Sequence, residues 1–192
     1  MPAQETPTES KSRRRRRAAL AVSEMVVLSM LGATMYGSTI ALAALPNIHL
    51  MGLLITVTTV VYRQKALYPI YIFVMLEGVS MGFGSWWVGY LYVWTVLWGL
   101  VMLLPKAMPD KVGMVVYPLV AGFHGLLFGT LMAPPEMIIR GWGWEKGLAW
   151  IAAGLPYDIT HAAGNVCTGL LAVPLIHLVR RLDQQLHKRH GR

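Results

Sequence analysis

Asp158, His161 and Asn165 stand three and four residues apart in Leu155-Pro156-Tyr157-Asp158-Ile159-Thr160-His161-Ala162-Ala163-Gly164-Asn165, within the last strongly apolar stretch of the chain. On a helix this spacing puts the three side chains on one face, with Thr168 a turn further on. A carboxylate, an imidazole and an amide together accept and donate hydrogen bonds, and the amide does both at once. If the segment crosses a bilayer, that face cannot meet lipid. It must meet protein, a water-filled cavity or a ligand. Asp158 also has a second reading, as the N-cap of its own helix after Leu155-Pro156-Tyr157.

Other polar residues in apolar surroundings extend the set. Glu77 is read either as a pocket group or as a hydrogen-bonded pin between two helices. His124 lies among Gly122, Gly125 and Gly129, which give a smooth face for close helix contact. It is either a ligand group or a satisfied core histidine. Trp86, Trp87 and Tyr157 either stack on an aromatic ligand or belt a membrane interface. The candidate substrate-binding set is therefore Glu77, Trp86, Trp87, His124, Tyr157, Asp158, His161 and Asn165. His49, His124 and His161 show no helical ligand spacing and no accompanying carboxylate motif, so no metal site is expected. No phosphate-binding loop, Gly-x-Ser-x-Gly or His-Glu-x-x-His occurs in the sequence. No catalytic residue and no cofactor is expected, and the chain is not expected to be an enzyme.

The elements that must hold these groups are apolar. The chain has 192 residues, 55% hydrophobic and 14% charged, whereas an ordinary soluble domain is about 25% charged. Measured against the roughly 20 residues that cross a bilayer, six spans are predicted, at 22–45, 48–62, 67–83, 86–104, 114–132 and 158–179. Proline closes the first, fourth and fifth, at Pro46, Pro105 and Pro134-Pro135. The stretch 133–157 between spans five and six is read as an interfacial or re-entrant segment. The fold class is an all-α integral membrane protein of one six-helix domain, 21–182. Residues 1–20 are read as a disordered basic tail, and 183–192 as a second basic tail. The single cysteine, Cys167, is expected as a small buried residue.

Charge gives the orientation. With the N-terminus inside and loops alternating, one side receives Lys11, Arg13 to Arg17, Arg63, Lys65, Lys106, Lys111, Arg180, Arg181, Lys188, Arg189 and Arg192. Only Arg140 and Lys146 fall on the other. This asymmetry predicts a plasma-membrane protein with both termini cytoplasmic. The basic residues are thus explained by topology, and no nucleic-acid partner is expected. Span one also has small residues every four positions, at Ser29, Ala33, Gly37 and Ala41. Such a stripe lets another helix approach closely, either within the chain or from a partner.

Taken together, the chain resembles the substrate-binding S components of energy-coupling factor (ECF) transporters. The resemblance rests on its size and topology and on the stripe Ala33-x-x-x-Gly37-x-x-x-Ala41, where the family has an alanine-x-x-x-alanine face. It rests also on the turn Ala44-Leu45-Pro46-Asn47-Ile48-His49 and on the start of the last helix, Leu155 to Asn165. It implies a vitamin or related micronutrient as ligand, bound from outside; a thiamine-like or pyrimidine ring would fit the candidate carboxylates and aromatics. It implies docking of a transmembrane coupling subunit on span one, and ATP hydrolysis only in two separate ATPase subunits. Glu77 and Asp158 would favour a ligand with cationic or donor groups. Two other functions compete: a stand-alone proton-coupled carrier or membrane-embedded enzyme using Glu77 and His161, and a structural membrane protein whose polar groups only join helices.

Overall fold

The computed structural model describes residues 7–45 and 47–191, with the side chains of 7–17 and 189–191 left aside. The first residues of the basic tail, the side chains of Lys11 and Arg13 to Arg17, and Pro46 therefore lie outside the described residues. Within them the chain is all-helical, without a strand. The helices are α1 (Pro7–Ala41), α2 (Met51–Tyr62), α3 (Leu67–Met81), α4 (Ser85–Met102), α5 (Asp110–Leu126), α6 (Phe128–Arg140), α7 (Trp144–Gly169) and α8 (Ala172–Gly191), with a 3₁₀ turn at Arg63–Ala66. The backbone is helical from Pro7, so α1 extends through most of the stretch expected to be a disordered tail.

Three helical stretches are long and apolar enough to cross a membrane: Ala18–Ala41, Ser85–Met102 and Asp110–Arg140, the last comprising α5 and α6. Trp144–Gly169 and Ala172–Lys188, bent by 53°, make a fourth if taken as one span. With 12 and 15 residues, α2 and α3 are shorter.

The bundle is built around α2. Its residues are apolar on all sides, apart from three threonines, and a helix of that kind must be enclosed. It packs against α1, α4, α5, α7 and α8. Thr56 and Thr58 donate to the carbonyls of Gly52 (2.7 Å) and Leu54 (2.6 Å) one turn back, so those hydroxyls enter the core already bonded. Met51, Leu53, Ile55 and Val57 form the core with Ile70, Phe73, Trp94 and Leu97.

The prolines act differently from the sequence expectation. Pro134 and Pro135 lie inside α6, which continues to Arg140 and ends in a left-handed Gly141 (φ 63°). A proline lacks the N–H that would bond the carbonyl four residues back. For Pro135 that carbonyl is Leu131 O, and it accepts the Tyr92 hydroxyl from α4 instead. The predicted fifth span thus runs on past its proline pair, with a break at Leu127. The stretch 133–157 is not one segment of its own. Its first part belongs to α6, and from Trp144 it belongs to α7, 26 residues long and roughly 39 Å at helical rise. Cys167 lies on the exposed side of α7.

Contacts fix which ends of the helices share a level. At one end, Lys65 Nζ lies 2.6 Å from Glu24, Arg63 Nη2 donates to Met102 O (2.8 Å), and His177 Nε2 is 2.9 Å from Asp110. Lys111 follows Asp110, and Arg180 and Arg181 follow His177, so basic residues of several loops gather here. At the other end of α4, Ser85 donates to Glu136 (2.5 Å), which also pairs with Arg140.

On α1, Leu28 and Met35 are buried, and Gly32 lies against α3. A Cβ at Gly32 would stand 2.8 Å from Ile72 and 2.9 Å from Pro69 O. Gly32→Leu is therefore expected to destabilise the fold by about 1–3 kcal/mol through overpacking, read as a lower midpoint of thermal unfolding in detergent. An unchanged midpoint would contradict the α1–α3 packing.

Candidate functional site

Two histidines from different parts of the chain flank one tryptophan, and a third meets the first of them. His49 ends the α1–α2 loop, His124 comes from α5, His161 from α7 and Trp94 from the middle of α4. The His49 and His161 rings stand edge-on at 4.4 Å between centroids. Trp94 lies 5.9 Å from His49 and 5.9 Å from His124, and Phe128 at the α5–α6 break touches His161 at 4.8 Å. Tyr90 joins them at 5.3 Å from Trp94. The floor of this patch, Trp94, His124, His161 and Asn165, is at most 3% exposed. His49, Tyr90 and Phe128 are half-buried and form its rim.

The break at Leu127 and the approach of α7 to α5 create this arrangement. Asn165 Nδ2 donates to Ala121 O (3.1 Å), tying α7 to α5. Gly125 and Gly52 leave the room for it: a Cβ would stand 2.9 Å from Asn165 Nδ2 at the first and 2.5 Å from Oδ1 at the second. Two turns earlier on α7, Asp158 accepts the backbone N–H of Gly129 (3.0 Å). Gly129 is in the first turn of α6, so the carboxylate satisfies a donor that the helix leaves unpaired and faces its positive end. Asp158 therefore caps a helix, but that helix is α6. Its own helix begins fourteen residues earlier, at Trp144.

Hydrogen-bond accounting leaves several buried atoms of the patch unpaired, as it does Thr59 Oγ1 in α2 and Arg63 Nε. His124 Nε2 is 2.9 Å from Val93 O, an acceptor, so that nitrogen carries the proton and Nδ1 presents a lone pair. The Met51 N–H donates to His49 Nδ1 (3.3 Å). Four buried atoms of the floor have no partner: Trp94 Nε1, His124 Nδ1, His161 Nε2 and Asn165 Oδ1. Buried polar groups are nearly always bonded, because leaving one unmade costs about 1–3 kcal/mol. The four lie on Trp94 and His124, whose rings are 5.9 Å apart, and on His161 and Asn165, one turn apart on α7.

Of the residues expected from sequence, His124, His161 and Asn165 come together here, while the others do other work. The Thr39 hydroxyl of α1 donates to Glu77 (2.8 Å), so the carboxylate joins α1 to α3. Trp87 Nε1 donates to Val74 O (2.9 Å) and its ring meets Phe83 at 4.9 Å, pinning α4 to α3. Trp86 reaches the patch only through Tyr90, at 5.1 Å. Tyr157 is 62% exposed and points away from the bundle. The small residues Ser29, Ala33, Gly37 and Ala41 are all on the exposed side of α1, and a Cβ at Gly37 would meet nothing within 4 Å. Sequence reasoning missed Trp94 and Phe128, which stand in apolar runs with nothing to mark them, and it weighed His49 as a metal ligand and as part of a family-like turn, not as a pocket group. Among the described residues no group of His, Cys, Asp or Glu is arranged to hold a metal ion.

Asn165→Ala and Asp158→Ala are each expected to lower stability by about 1 kcal/mol, from a lost buried hydrogen bond and a lost cap. Tyr157→Ala should stay within about 0.5 kcal/mol. Unfolding midpoints of the three variants in detergent check this order. Comparison of the chain with protein-family models, curated proteins and solved structures gives no match, so any assignment of function starts from this patch.

Proposed function

We propose that the chain is the substrate-binding subunit of an ECF-type importer for a vitamin or related micronutrient, with ATP hydrolysed by two separate subunits. One observation carries this reading: the half-buried rings of His49, Tyr90 and Phe128 beside buried side chains with four unpartnered polar atoms. Ligand sites are mostly apolar, with a few placed polar groups. The groups offer ring faces and hydrogen bonds, which suits binding and release without covalent chemistry.

The end-to-end contacts agree with a six-pass membrane domain in which α5 with α6, and α7 with α8, each count once. The basic end then faces the cytoplasm with both termini, and the rim faces outward, since His49 and Tyr90 lie toward the opposite end. Exposed Met25 and Met30 on α1 and Ile138 on α6 suit contact with lipid. Because α1 packs inward through Leu28, Gly32 and Met35, the stripe at Ser29, Ala33, Gly37 and Ala41 stays free to dock a transmembrane coupling subunit.

In this reading His161→Ala and His124→Phe weaken binding of the co-purifying small molecule about tenfold or more, while Glu77→Gln leaves it within about twofold, a few tenths of a kcal/mol. Ala33→Leu leaves binding intact and breaks co-purification of the coupling and ATPase subunits. Calorimetry on the purified variants and affinity purification from the native membrane check these outcomes. Transport by the lone protein in liposomes under a pH gradient would sink the proposal.

A further inference from the structure

We propose that the groove between α1 and α8 binds an acidic phospholipid, with an acyl chain in the groove and the phosphate against Arg181 and Lys188. The groove is separate from the aromatic patch, and its use does not depend on the transporter reading. It requires only that the apolar helices cross a membrane.

The groove has a volume of about 440 Å³, within the roughly 300–1,000 Å³ of ligand sites. Val27, Met30 and Leu31 of α1 form one wall and Val179 and Leu182 of α8 the other, with Tyr62 at the end of α2 between them in the lining. Met30 is 64% and Leu182 51% exposed, so the mouth opens on the outside of the bundle. α1 is long and apolar enough here to cross a membrane, and the surroundings of such a face are hydrocarbon. The hydroxyl in the α1 wall, Thr34, donates to Met30 O of its own helix (2.8 Å) and needs nothing from an occupant. None of Ser29, Ala33, Gly37 and Ala41 lines the groove, so an occupant here leaves that stripe uncovered.

Charge identifies the occupant. Val179, Leu182 and Leu186 stand three and four apart on α8 and line the groove. Arg181, Gln185 and Lys188 stand four and three apart, so they form a neighbouring row on the same helix. Gln185 lines the groove as well, which puts this basic row along its edge. A helix with an apolar row beside a basic one suits the boundary between hydrocarbon and headgroups. Arg181 and Lys188 are exposed, and among the described residues neither is paired with a carboxylate. The carboxylates nearby are engaged. Glu24 holds Lys65 at 2.6 Å, and Asp183, in the lining, stands 3.6 Å from His187 Nδ1 and beside the Tyr62 hydroxyl. The charge left open at the edge is therefore positive. Basic residues at headgroup level attract acidic lipids, and a phospholipid joins an anion to the apolar chain that the walls require. A second copy of the chain in the same membrane orientation would instead bring another basic row to this level, with like charges opposed.

The test sets one acidic lipid against a neutral one. Full-length protein in detergent is titrated with dioleoyl phosphatidylglycerol and, separately, with dioleoyl phosphatidylcholine, and the lipid retained is counted by native mass spectrometry. Phosphatidylglycerol is expected to be held at least about fivefold more tightly. Arg181→Gln combined with Lys188→Gln should bring the two lipids to within about twofold of each other. Thr34→Trp, which fills the groove from an exposed position, should weaken both by about tenfold. If that variant also shifts the unfolding midpoint, the charge variant alone decides. Glycerol 3-phosphate, a headgroup without chains, should not displace the lipid. Equal retention of the two lipids overturns the proposal, as does a preference that survives the charge variant. Displacement by glycerol 3-phosphate, or a dimer that Thr34→Trp dissociates, overturns it too.

Discussion

The approach of α7 to α5 is the contact on which the rest of this structure depends. Glycines on α5 and at the start of α6 remove the side chains that would hold the helices apart. Two polar side chains of α7 fill the space, Asn165 against Gly125 and Asp158 against Gly129. Each makes a buried hydrogen bond across the interface, to Ala121 O and from Gly129 N. In a chain whose helices are apolar on most faces, hydrophobicity alone does not choose a register between neighbours. Buried hydrogen bonds do, because a shift by one residue leaves each unmade. This contact places His161 opposite His49 and Phe128, and it closes the patch.

The same logic gives two polar groups on α7 a structural role. Asp158 and the amide nitrogen of Asn165 join helices, while Asn165 Oδ1 and His161 Nε2 are buried without a partner. At Asn165 one end of the amide holds α5 and the other faces α2 with no partner. Glu77 is the simpler case. It sits at the α1–α3 contact, and its bond to Thr39 makes it part of the frame.

Much of the frame was legible in the residues. The apolar stretches from 51 to 102 became α2, α3 and α4 close to where they were expected, because Gly82 and Gly84 mark the turn and few polar residues interrupt the runs. The spacing of Asp158, His161 and Asn165 predicted a shared buried face, and they share it. Proline was read too simply. Pro134, Pro135 and Pro156 lie inside helices, and at Leu131 a tyrosine from another helix takes up the carbonyl that a proline frees. No local pattern announces such a donor.

The sequence by itself determined the class of elements, the candidate imidazoles and amide, and the imbalance of basic residues along the chain. Composition, period and charge are properties of short stretches, and those conclusions need nothing more. Only the tertiary structure decided that Asp158 caps a helix it does not belong to, that Glu77 faces α1, and that Phe128 and His49 flank His161. These depend on which helix faces are opposed. That in turn depends on where small residues permit contact and where a buried hydrogen bond fixes the register, over separations of tens of residues.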